Sequence, residues 1–143
     1  ILLPPPVPSY EFRTRRSPAE QYQAVVSELI NFSGLQIPPQ AQAAYQDFEW
    51  ETLALRLYVV TWELVPPDWT MLVILGTQPE GALPQGIQIC LRDADHILEA
   101  PILTDPSKAY LYAQVIGTPR EQFWVTLNLP DGAMKTFPAF TFE

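Results

Sequence analysis

From Thr52 onward the chain is a succession of short apolar runs that alternate, break at proline or glycine, and resume at intervals of about ten residues. In residues 86–93, Ile87, Ile89 and Leu91 fall on one side while Gln88, Cys90 and Arg92 fall on the other. That is the period-two pattern of a strand with one face on a core. Leu53, Leu55, Leu57 and Val59 alternate in the same way and predict a long strand, with a helix as the alternative reading. Residues 70–77 form a continuous apolar run of strand length between Pro67 and Gly76. Further runs occupy 96–103, 109–117, 122–129 and 135–142, and Leu129-Pro130-Asp131-Gly132 is the strongest turn, since Asp-Gly supplies positive φ. Evenly spaced strands with this punctuation predict a mainly β chain, an antiparallel β-sandwich of immunoglobulin-like or similar type over residues 49–143.

The first third reads differently. Pro4, Pro5, Pro6 and Pro8 favour polyproline II, so residues 1–16 are expected to be an extended arm. A helical segment over 17–48, packed on the sheet, should follow. Ser17 is placed as an N-cap, Pro18 at the first helical position, and Glu20 completes a capping box. Tyr22, Val25, Val26, Leu29 and Ile30 recur at helical spacing, and Gly34 is a stop. A second short helix is expected around Gln40–Gln46, after Pro38 and Pro39. The opening ILLPPPVPSY lacks the features of a signal peptide. Without an initiating methionine, the chain reads as a piece of something longer.

Charge narrows the functional classes. The chain carries a formal −8, which argues against nucleic acid, because that binding is driven by basic side chains on phosphates. Arg13, Arg15 and Arg16 make the arm basic while the remainder is acidic, so the arm is a candidate contact for a protein partner or a second copy. No apolar run is long enough to span a bilayer. The single cysteine precludes an internal disulfide and fits a reducing, cytoplasmic setting. With 48% hydrophobic and only 17% charged residues, the chain either hides its apolar groups well or keeps a face for a partner.

One stretch looks chemical. Residues 89–100 hold the only histidine, His96, and the only cysteine, Cys90, with Asp93, Asp95 and Glu99 nearby. Asp93 and Asp95 lie between two alternating runs, where aspartate favours a turn by bonding its own backbone. They are also the candidate metal ligands. Calcium needs six to eight oxygens, so Asp131 or Asp68 would have to converge on them; zinc would have only His96 and Cys90. Cys90 has no electropositive setting to activate it. Neither a catalytic residue nor a cofactor is expected, and the chain reads as a non-enzyme.

The aromatic residues point elsewhere. With Leu53, Leu55 and Leu57 inward, Tyr58 and Trp62 face outward beside Arg56, and the same parity puts Tyr110, Tyr112 and Trp124 outward. This second apolar face is either a binding surface, for a sugar ring or a partner's side chains, or the seat of the Tyr22–Ile30 helix.

The stretch from Leu83-Pro84 through the acidic turn at Asp93 and Asp95, then Gly117, Pro119, Glu121 and Phe123, resembles the cyanobacterial family called domain of unknown function 1822. The family's larger N-terminal part is not recognisable here. The resemblance brings no catalytic residues and implies an accessory or regulatory protein of a cyanobacterium. The expected function is therefore a non-enzymatic interaction module that docks on a protein partner. The alternative is a carbohydrate- or calcium-binding sandwich ancillary to a larger protein. Exposure of Trp62 and Trp124 separates the two.

Overall fold

The computed structural model describes residues 13–14, 37–38, 41–78, 82–105 and 108–141. They form nine strands: β1 (Arg13–Thr14), β2 (Gln42–Trp50), β3 (Leu53–Glu63), β4 (Trp69–Thr77), β5 (Gln88–Arg92), β6 (Ile97–Glu99), β7 (Leu111–Gly117), β8 (Trp124–Asn128) and β9 (Met134–Thr136). A five-stranded antiparallel sheet has the order β1-β2-β3-β4-β7, and a four-stranded one the order β6-β5-β8-β9. The two pack as a β-sandwich. Three consecutive strands, β2 to β4, stay in one sheet, because Glu51-Thr52 and Leu64–Asp68 are connections short enough to make only hairpins. This order differs from that of the immunoglobulin domain.

Alternation decides what lies between the sheets. Leu55, Leu57 and Val59 from β3, Met71, Val73 and Leu75 from β4, and Ala113 from β7 meet Ile87, Ile89, Leu91, Val125 and Leu127 from the opposite layer, joined by Phe123 and Phe140. All are buried. The sides assigned to Ile87, Ile89 and Leu91 and to the β3 leucines are the observed ones.

Residues 42–46 do not form the helix expected around Gln40–Gln46. Gln42–Trp50 is a nine-residue strand paired along its length with β3, from Gln42 opposite Thr61 to Trp50 opposite Leu53. Alanine and glutamine are permissive in a helix, but propensity is a weak prior against a full ladder of cross-strand pairs. Ala44 and Phe48 face the inter-sheet core while Ala43 and Tyr45 face the other way. The sandwich therefore begins by Gln42 rather than at residue 49. The helix expected over 17–34 lies outside the described residues.

The five-stranded sheet is apolar on both sides. On its outer face Tyr45, Tyr58, Val60, Trp62, Leu72 and Ile74 form a second buried cluster, with Ile37, Tyr110 and Tyr112 packed against it. This explains why residues 70–75 read as an unbroken apolar run: a strand covered on both faces has no polar side to alternate with.

Candidate functional site

Asp93 is a turn residue. Its Oδ1 accepts the backbone N–H of Asp95 at 2.8 Å and of His96 at 2.7 Å, while its own N–H donates to the His96 carbonyl at 3.0 Å. These bonds close the reversal between β5 and β6. Because the two N–H donors favour the anion, they hold the Asp93 carboxyl below the usual aspartate value, with His96 adding a smaller pull in the same direction. His96 is exposed and its Nδ1 stands 3.8 Å from Asp93 Oδ1. Cys90 is half-buried in β5, paired with Thr126 of β8.

The acids named as possible companions do not gather there. Asp131 caps the β8–β9 turn by accepting the Ala133 N–H at 2.9 Å. The register of β5 on β8 puts that turn at the opposite end of the sheet from Asp93. Among the described residues no group of three His, Cys, Asp or Glu side chains is placed to share a metal ion. The β5–β6 turn does meet the Gly117–Phe123 turn, and together they line an open cleft of about 540 Å³ with Asp93, Asp95, Arg120 and Glu121 in its wall. Glu121 is also engaged within its own turn, its Oε1 accepting the Thr118 N–H at 3.0 Å. Two of the three carboxylates in this cleft thus serve to shape loops.

The outward aromatic residues divide between two sheets. Tyr58, Trp62, Tyr110 and Tyr112 all belong to the outer face of the five-stranded sheet, as parity requires. They are not an open platform: Tyr58 is 4% exposed and Trp62 6%, with Tyr110 and Tyr112 half-buried. The Tyr110 ring lies over Gly76, where a Cβ would stand 2.8 Å from it. Trp124 stands apart from them on the outer face of the four-stranded sheet, half-buried, with the Arg92 guanidinium 4.8 Å from its ring centroid. A stacking platform for a sugar built on Trp62 is excluded by this burial.

Arg56 shares the outer face in a way the sequence did not suggest. It sits directly opposite Asp47 in the β2–β3 ladder and grips that carboxylate with two groups, Nε to Oδ1 and Nη2 to Oδ2 at 3.0 Å. Its guanidinium also lies 4.7 Å from the Tyr45 ring centroid. Chiefly through the Asp47 bond, the Arg56 charge is held more firmly than usual. Reading residues 40–46 as a helix concealed this pair. Of the arm residues, Arg13 lies in β1 opposite Tyr45. There the chain belongs to the domain's own sheet and is not a free arm. Arg15 and Arg16 lie outside the described residues.

The apolar groups that do face solvent were not singled out in the sequence. Among the described residues the exposed large hydrophobic side chains are Leu64, Val65, Ile97, Leu98, Ile102, Ile116 and Met134. Four of these seven, Ile97, Leu98, Ile102 and Ile116, belong to one side of the sandwich. There the chain from Ile97 to Leu103 runs along β5 as one sheet's edge, and β7 is the edge of the other. Segments β6 and β7 approach within 8 Å between Cα atoms. The available signal was the adjacent pair Ile97-Leu98 followed by Pro101: two neighbouring apolar residues point to opposite faces of a strand, so one of them must leave the core.

No family model, curated protein or solved structure matches the chain. Among the described residues no helix is long and apolar enough to cross a membrane.

Proposed function

We propose that this chain is a non-enzymatic protein-interaction module, of the accessory or regulatory kind that its cyanobacterial family resemblance implies. The observation that carries this reading is the gathering of Ile97, Leu98, Ile102 and Ile116 on the β6–β7 side, where Ile97 is 65% and Ile116 61% exposed. Single exposed apolar residues are ordinary, whereas four of the seven described ones along one side of the sandwich make that side the candidate contact surface. The polar turns offer less: two of the three carboxylates in their cleft, those of Asp93 and Glu121, are committed to backbone N–H groups. We place the contact on the β6–β7 side; of the arm, Arg13 and Thr14 pair with β2 of the domain's own sheet, and its other residues lie outside the described ones.

The test is recovery of stable complexes from native cells with the wild-type chain and with Ile97→Lys/Ile102→Lys. Both changes are at exposed positions and should alter stability by no more than about 0.5 kcal/mol. A protein recovered with the wild type and lost with the folded variant supports the reading. Recovery of the same proteins with both would overturn it.

A further inference from the structure

The outer face of the five-stranded sheet is buried more completely than its described neighbours account for. Val60, Leu72 and Ile74 are 0% exposed there, and Tyr58 and Trp62 are nearly as well hidden. These side chains point away from the four-stranded sheet, since they alternate along β3 and β4 with Leu57, Val59, Met71 and Val73 of the inter-sheet core. Side chains standing off a sheet leave water only when another layer lies on them. Most of the described cluster stands on the strands themselves, and beyond them it includes only Ile37, Ala41 and Tyr110. Three residues cannot roof such a face, and the Tyr110 ring is already taken up over Gly76.

The course of the chain names the occupant. At β1 it lies at the edge of this sheet, with Thr14 opposite Ala44 of β2. At Ile37 it packs against the same outer cluster. Residues 15–36 join these two points, so both ends of that segment are anchored at the covered sheet. The segment carries Tyr22, Val25, Val26, Leu29 and Ile30 at helical spacing, with Glu20, Ser27 and Asn31 on the opposite side. An apolar stripe of this kind needs a surface to bury against. In helical form residues 18–33 would be about 24 Å long. That is enough to lie over β2, β3 and β4, whose axes span about 10 Å.

We propose that the segment 17–34 docks its Tyr22–Ile30 stripe on the outer face of the five-stranded sheet, against Tyr58, Val60, Trp62, Leu72 and Ile74, as a third layer of the same domain. The aromatic face is then an internal interface occupied by the chain itself, closed to sugars and to other proteins. This goes beyond the interaction-module reading and stands without it.

Photo-crosslinking within the full chain tests it. A benzophenone side chain in place of Tyr22 should give an adduct inside one monomer, mapped by peptide mass spectrometry to residues 58–62 or 72–74. The same group in place of Ser27, on the polar side of the stripe, should not. Separately, Val26→Asp/Leu29→Asp should open the face, so that an apolar dye binds more strongly and acrylamide quenches more of the tryptophan emission, through Trp62. Ser27→Asp/Asn31→Asp should change neither. An adduct from position 22 on other elements, on a second chain or on nothing overturns the proposal, as do equal adducts from both positions. So does a Val26→Asp/Leu29→Asp chain that behaves like Ser27→Asp/Asn31→Asp. If circular dichroism shows that the stripe variant no longer folds, the crosslinks, which leave Val26 and Leu29 in place, decide alone. Failure here leaves the β6–β7 contact untouched, because Ile97 and Ile102 take no part in these readouts.

Discussion

Glu51 and Thr52 close the β2–β3 hairpin with φ of 51° and 65°. Two successive positive values define a turn that asparagine and glycine occupy without strain. Here a glutamate and a β-branched threonine hold it, at a cost of about 1–2 kcal/mol per residue for the left-handed conformation. That is why the hairpin was invisible in the sequence: neither residue is a turn former, and the ladder on either side imposes the geometry. Glu51→Asn/Thr52→Gly should raise stability by about 1–2 kcal/mol, seen as a higher urea midpoint at unchanged slope. A lower midpoint would mean that these side chains contribute something the turn geometry does not reveal. Asp93 makes a second test. Its folded carboxyl is depressed by two N–H donors, so its contribution is fully present above the unfolded value of about 3.9 and is lost as pH falls through the lower folded value. Asp93→Asn keeps an acceptor but loses the charge. It should be slightly less stable at neutral pH, and the difference should shrink below about pH 4. A difference that stays constant into acid would show that the charge plays no part in the turn.

Strands β5, β7 and β8 were legible because each has one buried and one wetter face, so alternation survives in the sequence. Strand β2 was not, since alanines and glutamines carry little contrast and tertiary pairing outweighed their propensity. The Asp47–Arg56 pair lies across that strand and its neighbour, on a face otherwise made of Tyr45, Tyr58 and Val60. Arg56→Met removes the cation and leaves Asp47 in a largely apolar setting, which should cost about 1–3 kcal/mol, allowing for the partial exposure of the carboxylate. Adding Asp47→Val should recover most of that loss, because an apolar pair in place of an ion pair is often neutral or better. A double-mutant cycle reads the coupling directly, and a coupling near zero would show that the two charges are independently solvated.

Among the described residues most aromatic side chains are buried, either between the sheets or on the outer face of the five-stranded one. Parity placed Tyr58, Trp62, Tyr110 and Tyr112 on the outer face, but parity fixes only the face of a sheet and says nothing of whether that face is covered. The candidate metal turn was legible for a different reason: the bond from an aspartate to its own backbone is local, and local chemistry is written in neighbouring residues. The surface left open depends on which edges the topology exposes, and no short stretch encodes that. Among the described residues, four of the seven exposed large apolar side chains lie along β6, β7 and the segment after β6, with Leu64 and Val65 in the β3–β4 connection and Met134 in β9. Photo-crosslinking from a benzophenone side chain at Ile102, compared with one at Val65, weighs the two surfaces in native cells. Val65 is the more exposed, 79% against 50%, so simple accessibility favours it. A contact surface on the β6–β7 side predicts a discrete protein adduct from position 102 and none from position 65. Adducts from position 65 alone, or equally from both, would contradict it.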